Sequence, residues 1–365
     1  MPSEKEHKVF LTLLRAGLWE KETDSDSLFL ISGEIWRKVF SLALQQTVTG
    51  VVYRGLNYLP DNFLPPEDLL CRWTVEIDKI ERYSRKMNET VHRVCAFFDL
   101  HGLHPVLLKG QGVAGMYEYP LLRETGDIDL YFPDETERIY AEQLVREKGI
   151  SIDKLPDGSV SYFWNGAEIE HHPRLVDLHN PFLRTYLKTV EREKGYVVQT
   201  TECTAGTNIM IPSPELNLLL LNSHIMKHAM GKGIGLRQLC DLARAYCNLH
   251  DSFDGNEIKE IYRRAGLGRW SRLLHSFLVT VLGMPESYLP YKEKHMSCNA
   301  LLKIIMSGGN FGQYKDGHRR EMQSTWRRKF HTAASFMQNA GFSCRYAPEE
   351  FFWTVATLLK GQIKC

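Results

Sequence analysis

The chain has 365 residues, of which 43% are hydrophobic and 24% are charged, a composition typical of a globular protein rather than a disordered one. Its 45 lysines and arginines almost balance its 44 acidic residues, which leaves a net charge of +1. Proteins that bind extended nucleic acid carry a strongly basic surface, so this balance argues against such binding but permits a short, local contact. The length predicts roughly two or three structural units.

Nothing in the sequence indicates secretion or membrane insertion. The N-terminal stretch MPSEKEHKVFLTLLRAGLWEKE mixes both charge signs and has no apolar stretch followed by small residues. The longest apolar runs, at residues 216–221 and 351–359, are too short to span a bilayer. The eight cysteines form no Cys-x-x-Cys pair and have no zinc spacing, which favours reduced, buried thiols. We therefore expect a cytoplasmic protein without membrane contact.

Residues 1–100 are expected to form an N-terminal helical region. Apolar side chains recur at steps of three and four residues from Ile77 to Phe98, which places them along one stripe of a long helix. Residues 8–18 and 35–59 have similar spacing, and Gly102 provides a stop after the long helix.

Residues 101–210 are expected to form an α/β core. Residues 104–108 and 128–132 are predicted as short buried strands, joined by a Lys109-Gly110 turn, a short helix and a loop. Residues 135–148 return to helical spacing, and their pattern predicts that Ile139, Leu144 and Val145 point inward.

Residues 211–365 are expected to form a C-terminal helical region. Ser213 followed by Pro214 is typical of a helix start, with Ser213 as the N-cap. Residues 236–249, 258–265 and 270–282 continue with helical spacing. Helices on both sides of a strand-containing core predict the α+β class, with a small mixed sheet and helices in the centre.

Two carboxylates stand at the start of the second predicted strand. Asp127 and Asp129 are two residues apart and so point to one face, while Ile128 and Leu130 point into the core. Like charges at this spacing repel each other unless a cation lies between them, and paired carboxylates suit Mg²⁺. A solvated acidic strand end is the alternative, since Asp-x-Asp often occurs by chance.

The turn before these carboxylates favours a phosphate-binding interpretation. Gly110 would let a phosphate approach the backbone, and the helix after it offers free N–H groups. Lys109 and Arg123 are the nearest cations that could complement a triphosphate, Arg123 by bidentate contact. The alternatives are a solvated turn lysine and a salt bridge within the loop.

A third carboxylate comes from a predicted β-hairpin. Residues 160–164 and 167–172 flank Asn165-Gly166, a pair that favours a type I′ turn. Glu170 and His172 then share one face of the second hairpin strand. A carboxylate at Glu170 could complete a metal site and accept a proton from an attacking hydroxyl.

The stretch LLKGQGVAGMYEYPLLRETGDIDLYF, followed by AEIEHHPRL, resembles the pattern of the uncharacterised nucleotidyltransferase family within the DNA polymerase β-like superfamily. That family has a Lys-Gly turn, a helix, an arginine before Gly-Asp-Ile-Asp, and an acidic residue two before a histidine. The later stretch HIMKHAMGKGIGLRQLCDLA resembles helical segments of the same family, so the resemblance covers roughly residues 94–246. The matching positions are Lys109, Gly110, Arg123, Gly126, Asp127, Asp129, Glu170, His172, His224, His228, Arg237 and Asp241.

This resemblance implies a polymerase β-like core that moves a nucleoside monophosphate from an NTP, such as ATP, to an acceptor hydroxyl and releases pyrophosphate. The implied catalytic residues and ligands of two Mg²⁺ (or Mn²⁺) ions are Asp127, Asp129 and Glu170. The implied phosphate-binding residues are Lys109, Gly110, Arg123 and Gly126, with His172, His224 and His228 as supporting residues. The acceptor stays open and includes a small molecule, a sugar, a protein side chain and an RNA end.

Two other functions are compatible with the sequence. His171, His172, Asp177 and His179 lie within nine residues, and such sets bind Zn²⁺ or Mn²⁺ in metallohydrolases. However, His171 and His172 point to opposite faces if their segment is a strand. The second alternative is a non-catalytic nucleotide-binding or interaction protein, although all three acidic positions are present.

A local basic segment lies in the C-terminal region. A solvated helix face and a contact with a nucleotide, an RNA end or another polyanionic acceptor both fit this pattern. Its members are Lys315, Arg319, Arg320, Arg327, Arg328 and Lys329, with Trp326 and Phe330 interleaved.

Overall fold

A mixed sheet with helices on both faces forms the centre of the protein. The computed structural model describes residues 4–23, 26–155, 157–199, 208–231, 233–309 and 338–363. Within these ranges the strands are β1 (Val106–Leu108), β2 (Ile128–Tyr131), β3 (Asp153–Lys154), β4 (Val160–Trp164), β5 (Ala167–His172), β6 (Tyr196–Gln199) and β7 (Ile209–Pro212). All seven described strands belong to one sheet, in the order β3-β4-β5-β2-β1-β7-β6.

Helices precede, interrupt and follow the strands. Those at the N-terminal end are α1 (Glu4–Trp19), α2 (Gly33–Gln45), α3 (Thr49–Leu56) and α4 (Glu67–Asp99). The helices between strands are α5 (Lys109–Ala114), α6 (Glu135–Glu147) and α7 (Leu183–Lys194). The last strand is followed by α8 (Pro214–Met230), α9 (Leu236–Leu249), α10 (Gly255–Arg264), α11 (Gly268–Thr280), α12 (Asn299–Gly308), α13 (Ala340–Tyr346) and α14 (Pro348–Ile363). The predicted α+β class, with a mixed sheet between helical flanks, is confirmed.

Several local features follow directly from residue types. The β4–β5 hairpin has its predicted bounds, and Asn165 and Gly166 have the positive φ angles of 52° and 75° that a type I′ turn requires. Helix α6 begins after Asp134, whose carboxylate accepts a hydrogen bond from the Thr136 amide at 2.6 Å. Ser213 lies at the predicted N-cap of α8, but its hydroxyl makes no capping hydrogen bond.

Other expectations differ from the structure. The helical spacing of residues 35–59 corresponds to two helices, α2 and α3. The prediction that Ile139 points inward is wrong, because this side chain is 54% exposed. At about 100° per residue, Ile139 lies on a different side of α6 from Leu144, which is buried together with Val145. Strands β3, β6 and β7 were not predicted.

Strand β2 lies between β1, which is antiparallel to it, and β5, which is parallel. In the β2–β5 pair, Asp129 is directly opposite Glu170. On the other face of the sheet, Ile128 and Ile169 are buried against apolar side chains of α4 and α6. One face of this strand pair is therefore fixed in a hydrophobic core, and the carboxylates are forced onto the opposite face.

A second and larger hydrophobic core connects the two ends of the chain with the sheet. It includes Trp36 and Trp73 from the N-terminal helices, Val106 from β1, and Leu219 and Leu239 from α8 and α9. The helical flanks are thus packed around the sheet and close one side of the face that carries the carboxylates. The domain boundaries expected near residues 100 and 210 stay predictions.

The described ranges also show whether any helix could span a membrane and where the cysteines lie. None of the helices there is long and apolar enough to cross a bilayer. Six of the eight cysteines lie in these ranges and are free thiols, and Cys95, Cys240 and Cys298 are buried. Cys71 and Cys344 are exposed, whereas the sequence favoured buried thiols for most of the cysteines. The cytoplasmic location stays a prediction.

Helices α1 and α3 approach each other closely at glycines. A Cβ added at Gly17 would lie 1.8 Å from the carbonyl oxygen of Val51, and one added at Gly55 would lie 2.2 Å from that of Leu13. Both contacts are with backbone atoms, which cannot rotate away. This helix pair therefore depends on the absence of a side chain at these two positions.

We predict that Gly17→Ala lowers the free energy of unfolding by about 2 kcal/mol or more, because the added methyl overlaps the α3 backbone. The matched control is Gly341→Ala in α13, where an added Cβ meets nothing within 4 Å. Alanine is the better helix former, so this control should be neutral or more stable by up to about 1 kcal/mol. Urea denaturation measures the free energy of unfolding of both variants. Equal changes in Gly17→Ala and Gly341→Ala would contradict the close packing of α1 against α3.

Candidate active site

The carboxylates of β2 and β5 face a cleft of about 610 Å³. The sheet forms one wall, with Asp129, Glu170 and His172, and helices α8 and α9 contribute His224 and Arg237 among others. A space of this size accommodates a small-molecule ligand, and the polar side chains converge at the end where β2 begins.

Asp129, Glu170 and His172 form a compact cluster. One potential ligand atom from each lies within 4.8 Å of the others. The His172 Nε2 atom is 2.5 Å from an Asp129 carboxylate oxygen, and the Nδ1 atom is 3.7 Å from Glu170. The register of β2 against β5 and the alternation of side chains along β5 bring these three groups together. The supporting role of His172 stays a prediction, and its proximity to Asp129 follows from a strand pairing that is not visible in the sequence.

Lys109 reaches the same cluster from the turn after β1. Its Nζ atom is 3.2 Å from an Asp129 carboxylate oxygen, and the side chain is only 14% exposed. Although burial opposes it, the charges of Asp129 and Asp127 raise the pKa of Lys109. Lys109 and His172 in turn outweigh burial and hold the pKa of Asp129 well below its usual range. Asp129 is therefore ionised at neutral pH.

The Lys109-Gly110 turn has an unusual backbone. Lys109 has a φ of 43° and Gly110 a φ of 32°, both in the left-handed region that favours glycine. A Cβ at Gly110 would lie 3.5 Å from the carbonyl oxygen of Asp127. This turn therefore brings the backbone after β1 close to the start of β2, and the phosphate-binding role of Gly110 stays a prediction.

Asp127 lies beside the cluster rather than within it. Its side chain is exposed in the cleft, and the Asp129 carboxylate next to it raises the pKa of Asp127 to about 6. Among the described residues, the compact group of potential metal ligands contains Asp129, Glu170 and His172 without Asp127. The role of Asp127 as a metal ligand stays a prediction.

Arg123 has a different contact from the one predicted. Its Nε and Nη2 atoms donate to the two carboxylate oxygens of Asp241 at 3.0 and 2.6 Å, and Nη1 donates to the Glu124 carbonyl at 3.2 Å. Tyr117 donates to the same carboxylate at 2.8 Å. Arg123 is 4% exposed, and despite its burial the charge of Asp241 raises its pKa. The guanidinium is thus paired with Asp241, and its role in phosphate binding stays a prediction.

Arg237 lies next to this pair, beside the predicted phosphate-binding residue Gly126. Its Nη1 atom donates to the Glu124 carbonyl at 3.0 Å. Its Nη2 atom is 3.8 Å from the position of a Cβ added at Gly126. Sequence analysis matched Arg237 to a family segment but gave it no role.

His224 and His228 face the cleft from α8. Their rings pack edge to face with centroids 4.4 Å apart. Burial, with Lys109 as the next cause, holds the pKa of His224 well below its usual range, so its imidazole is neutral at physiological pH. Both remain candidates for a supporting role.

Among the described residues, the other members of the metallohydrolase set do not join His172 in its compact group of potential metal ligands. His171 lies on the opposite face of the sheet, where its Nε2 atom is 2.9 Å from the Tyr162 hydroxyl and burial lowers its pKa to about 3. His179 contacts Glu350 at 2.7 Å, and Asp177 pairs with Lys227. The basic segment from Lys315 to Lys329 lies outside the described residues.

We predict that Asp241→Ala lowers the free energy of unfolding by about 3–5 kcal/mol, because it leaves the buried Arg123 charge without its partner. The control is Arg37→Ala, which breaks the Arg37–Asp68 pair, whose side chains are 59% and 68% exposed. That change should cost less than about 1 kcal/mol. Urea denaturation measures the free energy of unfolding of both variants. A decrease of less than about 1 kcal/mol for Asp241→Ala would show that the Arg123–Asp241 pair does not stabilise the fold around the cleft.

Comparisons with known proteins agree with the resemblance noted in the sequence. A crystal structure of an antigenic nucleotidyltransferase-like protein from Paracoccidioides brasiliensis is similar at 13% identity and a TM-score of 0.33, over 59% of this chain and 96% of that one. A likeness this distant carries no functional argument. No curated protein matches the chain significantly. The family model described as uncharacterised nucleotidyltransferase matches residues 32–283, a range that contains Asp129, Glu170 and His172, and the chain therefore belongs to the uncharacterised nucleotidyltransferase family.

Proposed function

We propose that the protein transfers a nucleoside monophosphate from an NTP to an acceptor hydroxyl, with divalent cations and release of pyrophosphate. The observation that carries the proposal is the cluster of Asp129, Glu170 and His172, which lines the same cleft as the Lys109-Gly110 turn. Membership of a nucleotidyltransferase family supports the same reaction class.

The donor set fits a divalent cation. Two carboxylates and an imidazole within 4.8 Å of one another suit Mg²⁺ or Mn²⁺, and the imidazole favours Mn²⁺ more than an all-oxygen set would. Asp129 is already in the ionised form that binds metal. When bound, the cations would neutralise charge on the phosphates and activate the acceptor hydroxyl. Asp127, exposed next to Asp129, is the group positioned to add a further oxygen ligand.

The protein's own side chains have separate tasks in this proposal. Glu170 is the least engaged member of the cluster, since its nearest partner in an ion pair is His172 at 3.7 Å, and it is therefore our candidate for accepting the proton of the acceptor hydroxyl. Lys109 neutralises Asp129 and would turn to the phosphates once a cation replaces it. Gly110 keeps the backbone free of a side chain where phosphates would approach.

The acceptor and the base of the NTP are left open in this proposal. A small molecule, a sugar, a protein side chain and an RNA end all carry a suitable hydroxyl. The cleft walls from α8 and α9 and the C-terminal helix α14, which contributes Glu350 and Thr354, are the surfaces that would choose among them. We expect the reaction to take place in the cytoplasm.

We predict that Asp129→Asn and Glu170→Gln each lower nucleotidyl transfer by about 100-fold or more, because they remove charges that bind cations or accept the proton. The assay supplies each α-labelled NTP with Mg²⁺ or Mn²⁺ and a cell extract as the source of acceptor, and follows transfer of the label.

The matched control is Glu168→Gln. Glu168 lies on the same face of β5, two residues from Glu170, but it is exposed and bonded to Ser161 at 2.8 Å. This variant should keep nearly full activity, and a chelator should abolish transfer by the unaltered protein. Transfer that persists in both cluster variants would refute the proposal. NTP binding that requires metal but releases no pyrophosphate would favour the non-catalytic binding protein instead.

A further inference from the structure

Five positively charged lysine or arginine side chains line the cleft, and four of them have an acidic partner. The pairs are Lys109 with Asp129, Arg123 with Asp241, Arg174 with Asp177, and Lys227 with Asp177. Arg237 is the fifth, and among the described residues it forms no ion pair. Its single hydrogen bond goes from Nη1 to the Glu124 carbonyl.

The Arg237 guanidinium is also buried and incompletely bonded. The residue is 8% exposed, and its Nε atom is buried without a hydrogen-bond partner. Arg123 donates to the same Glu124 carbonyl, so two positive groups share one neutral acceptor. Burial, followed by the charge of Arg123, lowers the pKa of Arg237, against the opposing charges of Asp241, Glu124 and Asp127, none of which forms an ion pair with it. A buried guanidinium that lacks a direct ion-pair partner is costly, which indicates that a ligand supplies that partner.

The position of this unmatched charge suggests what the ligand is. Arg237 lines the cleft beside Gly126. In the sequence, Gly126 directly precedes Asp127, at the point where β2 begins. Gly126 has no side chain to fill the space in front of Nη2. An oxyanion in this space would accept hydrogen bonds from the planar guanidinium of Arg237 and would also contact any cation held by Asp129.

We infer that Arg237, rather than Arg123, binds the oligophosphate of the substrate, as the anion-binding residue of the cleft. The identity of that anion as the triphosphate of an NTP rests on the proposed function. Arg123 has a positioning role. Its hydrogen bonds to the Asp241 carboxylate and to the Glu124 carbonyl hold in place the segment that Arg237 contacts.

The test measures binding of inorganic tripolyphosphate with Mg²⁺ by calorimetry, so that no nucleoside and no acceptor is needed. Arg237→Gln should weaken binding by about tenfold or more, which is the effect of losing about 1.4 kcal/mol of interaction. Arg237→Lys should fall between this variant and the unaltered protein, because lysine keeps the charge but not the fork. Arg174→Gln is the control, since Arg174 lines the same cleft but is paired with Asp177.

Stability without ligand separates binding from a structural role. Because Arg123 still donates to the Glu124 carbonyl, Arg237→Gln removes an unmatched charge and leaves no acceptor unsatisfied. Its Tm should equal or exceed that of the unaltered protein. A marked fall in Tm would give Arg237 a structural role and overturn the inference.

Three further results are decisive. Unchanged tripolyphosphate affinity in Arg237→Gln, an equal loss in Arg174→Gln, or no binding by the unaltered protein would each overturn the inference. If one of these results were found while nucleotidyl transfer still depended on Asp129, the proposed function would remain supported and only the inference about Arg237 would fail. Conversely, tripolyphosphate binding that depends on Arg237 without any transfer would support the inference and refute the proposed function.

Discussion

The parallel pairing of β2 with β5 determines the geometry of the candidate site. Adjacent strands lie about 4.8 Å apart, so the register that sets Asp129 opposite Glu170 forces two carboxylates side by side. The same register buries Ile128 and Ile169 on the other face, in a core shared with α4 and α6. A shift by one residue would bury the carboxylates and expose the apolar side chains, so the hydrophobic core fixes the spacing of the acidic cluster.

Neighbouring charges then determine what this cluster can do. Lys109 and His172 both contact Asp129, which keeps that carboxylate ionised although it is buried. Elsewhere in the cleft, Arg123 is neutralised by Asp241, and Arg237 forms no ion pair among the described residues. The cleft thus presents a carboxylate cluster that suits cations and a guanidinium that suits phosphate. A metal–oligophosphate complex carries charge of both signs and matches these two features.

Local features of the fold could be predicted from the sequence, and long-range pairings could not. The β4–β5 hairpin was found because Asn165-Gly166 specifies its turn within two residues. The β2 carboxylates were found because strand alternation is also local. In contrast, Arg123 and Asp241 are 118 residues apart, and nothing in either segment shows that they meet. The contact of His172 with Asp129 could not be predicted, because it depends on the pairing of two strands. Arg237 was noticed only as part of a resemblance, since a missing partner is visible only in three dimensions.

The central claim is that Asp129, Glu170 and Arg237 hold the two halves of one metal–nucleotide complex. A crystal structure with Mg²⁺ and an NTP analogue that cannot be cleaved between the α- and β-phosphates tests it most directly. We expect a cation bonded to Asp129 and Glu170, Lys109 moved from Asp129 towards the phosphates, and phosphate oxygens within hydrogen-bond distance of Arg237. A nucleotide bound elsewhere in the cleft, with the Lys109–Asp129 contact intact, would contradict it.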